Sequence, residues 1–178
     1  MYLVGLSMGG MLALEWASRY PAECAGIVVM NTSLAGVSPF YDRLRLLSCR
    51  QLAAQILLGR DIRARESAVL KLTSNGSSCP ESLLDQWASF AQDRPVRSIN
   101  VLWQLGAAMR YRGPPTEPDV PVLVLAGQGD RLVSSKCSVH IARRWALPLA
   151  VHASAGHDLA LDAADWVCEE ICCWLGRY

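Results

Sequence analysis

The chain has 178 residues, of which 52% are hydrophobic and 19% charged, with 17 basic against 16 acidic residues and a net charge of +1. That length suits one buried core with an inserted subdomain. The near-neutral balance gives no electrostatic footprint for nucleic acid, and no apolar run approaches a membrane span. No charged segment followed by an apolar one opens the chain, so no export signal is expected. The seven cysteines (24, 49, 79, 137, 168, 172 and 173) form an odd set without regular spacing, which reads as reduced thiols of a cytoplasmic protein. Cys168, Cys172 and Cys173 lack a C-x-x-C pair or a ligand-spaced histidine and read as small apolar residues of a terminal helix, so no metal is expected.

In chain order, Tyr2 to Leu6 is a short β-prone apolar run and Met8 to Arg19 has helical spacing, with Ser7 at the turn between them. In Gly5-Leu-Ser7-Met-Gly9 the glycines are expected to lie against neighbouring backbone where a Cβ would collide, leaving the serine on a strained strand-to-helix turn. The N–H of Met8, at the opening of the helix, can receive a developing oxyanion. Tyr20-Pro21 stops the helix, and Ala25 to Asn31 is continuously apolar, as in a strand of a parallel sheet covered on both faces. Asn31, Thr32 and Ser33 follow that strand at the same sheet end as Ser7 and are candidates to line a site.

Residues 39–112 read as helical. Apolar residues recur at helical spacing at Leu44, Leu47, Leu52, Ile56 and Leu57, at Val69 and Leu72, at Leu83, Leu84 and Trp87, and at Ile99, Leu102, Trp103 and Leu105. Gly59, Asn75-Gly76, Pro80 and Pro95 divide the region into about four helices. Trp87, Phe90, Trp103 and Met109 are expected to pack this insertion onto the sheet, with a minority of them as the alternative wall of an acyl or aromatic pocket. Its arginines (43, 45, 50, 60, 63 and 65) are expected on a solvated face. Gly113 to Asp119 reads as a stiff linker, and Val120 to Ala126 as a third buried strand. Asp130 follows it, then Ser134-Ser135 as a helix N-cap and a helix to about Trp145. Pro148 to His152 is a fourth strand, Ala153 to Asp158 a loop containing His157, and Ala163 to Leu175 a closing amphipathic helix. The domain division expected is 1–38 with 113–178 as the core and 39–112 as a helical cap.

Ser7, Asp130 and His157 each follow a strand of one sheet and so converge on one edge. A serine hydroxyl is a poor nucleophile at neutral pH. It needs a histidine to take its proton and a carboxylate to orient that histidine. Asp158 competes with Asp130 for the last role, but a residue adjacent in sequence rarely folds back onto its neighbour's ring. His140 and His152 compete with His157, yet only His157 sits in a glycine-containing loop beyond a strand end.

Leu3-Val-Gly-Leu-Ser-Met-Gly-Gly, Val122-Leu-Val-Leu-Ala-Gly-Gln-Gly-Asp-Arg-Leu-Val and Ala155-Gly-His157 together resemble the α/β-hydrolase family, specifically its single-domain members with a helical cap. The resemblance implies an α/β fold, here a partial α/β-hydrolase fold with a parallel sheet of about four strands and an α-helical cap insertion. It implies Ser7 as nucleophile, His157 as general base and acid, Asp130 as its orienter and Met8 N–H as an oxyanion donor. Leu6 and Asn31 are the candidate substrate-binding residues, and no cofactor is implied. The expected reaction is hydrolysis of a small carboxylic ester through an acyl-enzyme.

The family normally has several strands and a Gly-rich loop before the nucleophile. Here six residues precede Ser7. The chain therefore reads as lacking the N-terminal strands, with impaired catalysis and with Tyr2 to Leu6 as an exposed edge at which two copies can pair as a homodimer. Three readings follow: the carboxyl-terminal part of a longer active hydrolase; a weak hydrolase or non-catalytic binding protein (a pseudoenzyme) taking a small molecule; or an acyltransferase or C–C hydrolase using the same triad.

Overall fold

A computed structural model describes residues 1–45, 61–76 and 81–177. Four strands, β1 (Tyr2–Leu6), β2 (Gly26–Met30), β3 (Val122–Gly127) and β4 (Leu149–His152), form one parallel sheet in the order β1-β2-β3-β4. Helix α1 (Met8–Arg19) connects β1 to β2. Four helices lie between β2 and β3 among the described residues: α2 (Phe40–Arg43), α3 (Ile62–Thr73), α4 (Glu81–Asp93) and α5 (Ser98–Arg110). Helix α6 (Lys136–Arg144) connects β3 to β4, and α7 (Leu159–Asp162) and α8 (Ala164–Leu175) close the chain.

The pleat of the inner strands explains their unbroken hydrophobicity. Ile27, Val29 and Val124 point to one face, where Leu14 and Ala17 of α1 and Ile141 of α6 cover them. Val28, Met30, Leu123 and Leu125 point to the other, beneath Leu159 of α7 and Val167 and Trp174 of α8. With helices on both faces there is no solvated side to encode, so alternation disappears. β1 lies at the sheet edge, with Tyr2 and Val4 more than half exposed.

The insertion meets the core differently from expectation. Phe90 and Trp103 are 61% and 67% exposed and do not pack onto the sheet, while Trp87 and Met109 are half-buried. Contact is made instead by Leu72 of α3, clustered with Leu132, Val133 and Cys137, and by polar seams. One seam is Arg43, which is 4% exposed rather than solvated. Its guanidinium donates to the carbonyls of Met109 (2.6 Å) and Ala108 (2.7 Å), the last turn of α5, where a cation is favoured by the orphan carbonyls and the helix dipole. Burial lowers its pKa from the ordinary arginine value. Arg45, Arg63 and Arg65 remain on the surface or half-buried.

Other expectations need correction at single positions. The side chain of Ser135 makes no cap to α6, and the hydroxyl of Ser134 accepts the Lys136 N–H instead. Cys168, Cys172 and Cys173 do lie on the last helix, but exposed. The apolar spacing at Leu47, Leu52, Ile56 and Leu57, the breakers Gly59 and Pro80, Arg50, Arg60, Cys49 and Cys79 lie outside the described residues. Among those residues no helix is long and apolar enough to cross a membrane.

Replacing Arg43 with Ala removes two charge-assisted bonds and is expected to cost about 1–3 kcal/mol in urea unfolding, with faster amide exchange at the end of α5. The cysteines offer a second check. Burial pushes the Cys137 thiol up to about 11, so at pH 8 it stays protonated and is expected to resist a thiol reagent that labels Cys168, Cys172 and Cys173 in the folded protein.

Candidate active site

Ser7 joins β1 to α1 with φ 54° and ψ −115°, a left-handed conformation that costs a non-glycine residue about 1–3 kcal/mol. Four hydrogen bonds hold it there. Its N–H donates to the Met30 carbonyl (2.8 Å), and its carbonyl accepts from Gly10 N (3.1 Å), Met11 N (3.3 Å) and the Thr32 hydroxyl (2.8 Å). The hydroxyl of Ser7 is left half-buried at the carboxyl end of the sheet, with no hydrogen bond among the described residues. The amides of Met8 and Gly9 open α1, where no preceding turn supplies carbonyls, so Met8 N–H is placed to meet an anion beside the serine.

The three glycines of this turn are not equivalent. A Cβ on Gly5 would sit 2.3 Å from the Gly9 carbonyl oxygen, and one on Gly10 would press on the Thr32 side chain at 3.0 Å. Gly9 has nothing within 4 Å of that position, contrary to the expected collision. The crowding belongs to Gly5, which faces the first turn of α1, and to Gly10, which faces Thr32, whereas Gly9 faces open space.

Asp130 follows β3 and is 1% exposed. One carboxylate oxygen accepts the N–H groups of Leu132 (2.8 Å) and Val133 (2.9 Å), and the other lies 2.7 Å from His157 Nδ1. A carboxylate only accepts, so Nδ1 is the donor, and in the neutral ring Nε2 carries the lone pair. Asp158 does not take this place. Burial raises its pKa, which its bond with Leu161 and the neighbouring His157 offset only in part, and its N–H donates to the Thr73 carbonyl. The other histidines are engaged elsewhere: His140 Nδ1 with the Ser38 hydroxyl (2.9 Å), and His152 Nδ1 with the Ala155 N–H (3.0 Å).

The position of His157 requires a tether. Its loop leaves β4, three strands from β1 and about 14 Å from it at ordinary strand spacing. Asn31, at the end of β2, supplies the pull. Its Nδ2 donates to the carbonyls of Gly156 (3.0 Å) and His157 (2.8 Å), and its Oδ1 accepts the Gly127 N–H (2.8 Å). Asn31, expected to bind substrate, is 2% exposed, and both Nδ2 protons and Oδ1 are engaged with backbone, so it draws the histidine loop back across β3. Leu6 is half-buried and packs on the cluster beneath α8. Thr32, a candidate to line the site, bonds the Ser7 carbonyl, and the carboxylate of Asp162, which the sequence does not single out, bonds the Gly156 N–H at 2.6 Å. Nothing in the sequence around Asp162 marks this role, because its other partners, Ser74, Asn75 and Gly76, lie 86 to 88 residues away.

Ser7 thus lies on a left-handed turn beside a helix N-terminus, at the same sheet end as a buried Asp130–His157 pair. A family model described as serine aminopeptidase, S33, matches residues 1–163. The chain belongs to this family of α/β-hydrolases. Among solved structures it is similar to a membrane phospholipase A described as a bacterial virulence factor, with a TM-score of 0.78 and 19% identity over 99% of this chain and 56% of that one. It is similar to the esterase EaEST from Exiguobacterium antarcticum, with a TM-score of 0.75 and 16% identity over 97% of this chain and 65% of the other. It is also similar to the 2-hydroxy-6-oxo-6-phenylhexa-2,4-dienoate hydrolase of Rhodococcus sp. strain RHA1, with a TM-score of 0.70 and 19% identity over 97% of this chain and 62% of the other. At these identities the likeness is one of fold. This α/β-hydrolase chain thus spans between half and two thirds of these structures. No curated protein matches its sequence.

The glycine geometry predicts opposite outcomes for two similar substitutions. Gly5→Ala should destabilise by about 1–3 kcal/mol or prevent folding, whereas Gly9→Ala should be neutral or stabilising by up to about 1 kcal/mol, both read by thermal unfolding.

Proposed function

We propose that the chain carries the nucleophile and proton-transfer machinery of a serine hydrolase acting on a small carboxylic ester. The observation that carries this reading is the 2.7 Å bond between buried Asp130 and His157, formed at the same sheet end as the strained Ser7. In the proposed mechanism Nε2 of His157 accepts the Ser7 proton as Oγ attacks the ester carbonyl. Asp130 keeps the ring in the required tautomer and stabilises the imidazolium. The Met8 N–H receives the oxyanion. His157 then returns its proton to the leaving alcohol, and water repeats the sequence to release the acid.

The substrate class is supported by a groove of 490 Å³ between α1 and α5. It begins at Met8, beside the nucleophile, and continues along Met11, Leu12, Ala107 and Ala108 to Tyr111, whose hydroxyl donates to Glu15 (2.9 Å). Its size and apolar lining suit a modest acyl group. A cavity of 820 Å³ lies between α3 and α4 and touches none of the three proposed catalytic residues. Met8 N–H is the one oxyanion donor assigned among the described residues.

Labelling with a fluorophosphonate followed by peptide mapping tests the reading. The expected result is stoichiometric modification of Ser7, abolished in Ser7→Ala and slowed about 10³–10⁴-fold in Asp130→Asn. Labelling elsewhere, or at an unchanged rate in His157→Ala, contradicts it.

A further inference from the structure

The carboxylate of Asp162, at the end of the four-residue helix α7, draws together segments far apart in sequence. From the histidine loop it accepts the Gly156 N–H at 2.6 Å. From the segment after α3 it accepts the Ser74 hydroxyl, the Asn75 N–H at 2.8 Å and the Gly76 N–H at 3.2 Å. Asn75 extends the same seam. Its Nδ2 donates to the carbonyls of Gly129 and Ser154, both at 2.9 Å, one beside Asp130 and one in the loop before His157. Arg131 donates to the Ser74 carbonyl at 2.6 Å, and the Asp158 N–H to the Thr73 carbonyl at 2.8 Å.

Nothing in α7 itself calls for this carboxylate. An acidic side chain at a helix C-terminus opposes the local dipole, so the donors around Asp162, not the helix, account for its placement. Burial alone would raise its pKa. The bonds from Ser74, Asn75, Gly156 and Gly76 outweigh burial and hold it below the usual aspartate value, so at neutral pH it is an acceptor only.

Gly156 is gripped from both sides. Its N–H is held by Asp162 and its carbonyl by Asn31, so the backbone that delivers the His157 ring to Asp130 has little freedom. From this juxtaposition we infer that Asp162 is a positioning residue that locks the His157 loop to the segment after α3, making the aim of the histidine depend on where the helical insertion sits. The inference rests on the reading of His157 as general base. Asp162 acts through Gly156 and touches no reacting atom. The seam is also one wall of the 820 Å³ cavity, through Ser74, Asn75, Gly76 and Arg131.

The test compares the wild-type chain with Asp162→Asn, Asp162→Glu, Ser74→Ala and the Ser74→Ala/Asp162→Asn double variant. It reads Gly156 amide exchange, the downfield His157 Nδ1 proton by NMR, and the rate of Ser7 fluorophosphonate labelling. In Asp162→Asn the Gly156 amide is expected to exchange at least about tenfold faster. The Nδ1 proton signal should broaden or vanish, and labelling should slow about 10- to 100-fold. Asp162→Glu should restore part of each loss. Ser74→Ala should show a smaller loss, and the double variant none beyond Asp162→Asn, because the two side chains share one interaction. Wild-type behaviour of the Gly156 amide and His157 signal in Asp162→Asn, or strict additivity in the double variant, overturns the inference. If Asp162→Asn does not fold, folded Ser74→Ala decides: wild-type exchange and signal there overturn it. If the wild-type chain is not labelled at all, the catalytic reading fails, while the two NMR readouts still decide the role of Asp162.

Discussion

A carboxylate almost wholly removed from water is expensive unless its oxygens are satisfied, and Asp130 meets that demand with three N–H donors. Two come from its own turn, Leu132 and Val133, and are available as soon as β3 ends in that conformation. The third is His157, which arrives from the far side of β4. Much of the surrounding architecture can be understood as what is needed to bring that ring to that oxygen. Asn31 reaches from β2 to hold the loop carbonyls, and Asp162 holds the amide of Gly156. Backbone anchoring on either side of the histidine thus helps to assemble the pair.

The serine is prepared by an independent device. Its left-handed backbone is unfavourable in isolation and persists because Met30, Gly10, Met11 and Thr32 all bond to the same peptide units while Gly5 lets the helix start approach the strand. β2 links the two devices. Met30 takes the Ser7 N–H, and the next residue, Asn31, holds the histidine loop. One strand end thus sets the spacing between the proposed nucleophile and its base, which is a reason for β2 to be buried on both faces.

The parts legible in the sequence were those with local causes. The strand, turn and helix around Ser7, the buried runs of β2 and β3, and the placement of Asp130 and His157 after strand ends follow from periodicity and glycine, and their boundaries agree with the structure to within a few residues. What escaped were side chains whose partners lie far along the chain. Asn31 looked like a turn residue facing a ligand because nothing nearby shows that its amide is spent on carbonyls 125 and 126 residues away. Arg43 looked solvated among other arginines, yet it closes the end of α5, 65 and 66 residues on. Phe90 and Trp103 looked like packing residues because aromatic type and helical spacing do not say which helix face meets a neighbour. Gly9 matched a motif position without the crowding that the motif implies, since that crowding depends on what lies opposite.

In the proposed mechanism Ser7, His157 and the Met8 amide act on one carbonyl group. A crystal structure of the protein after reaction with a fluorophosphonate tests it most directly. The expected result is phosphorus bonded to Ser7 Oγ, a phosphoryl oxygen within about 3 Å of Met8 N, and His157 Nε2 facing the adduct with its Asp130 bond intact. No adduct at Ser7, or an adduct whose oxygen points away from the start of α1 with His157 turned elsewhere, would contradict it.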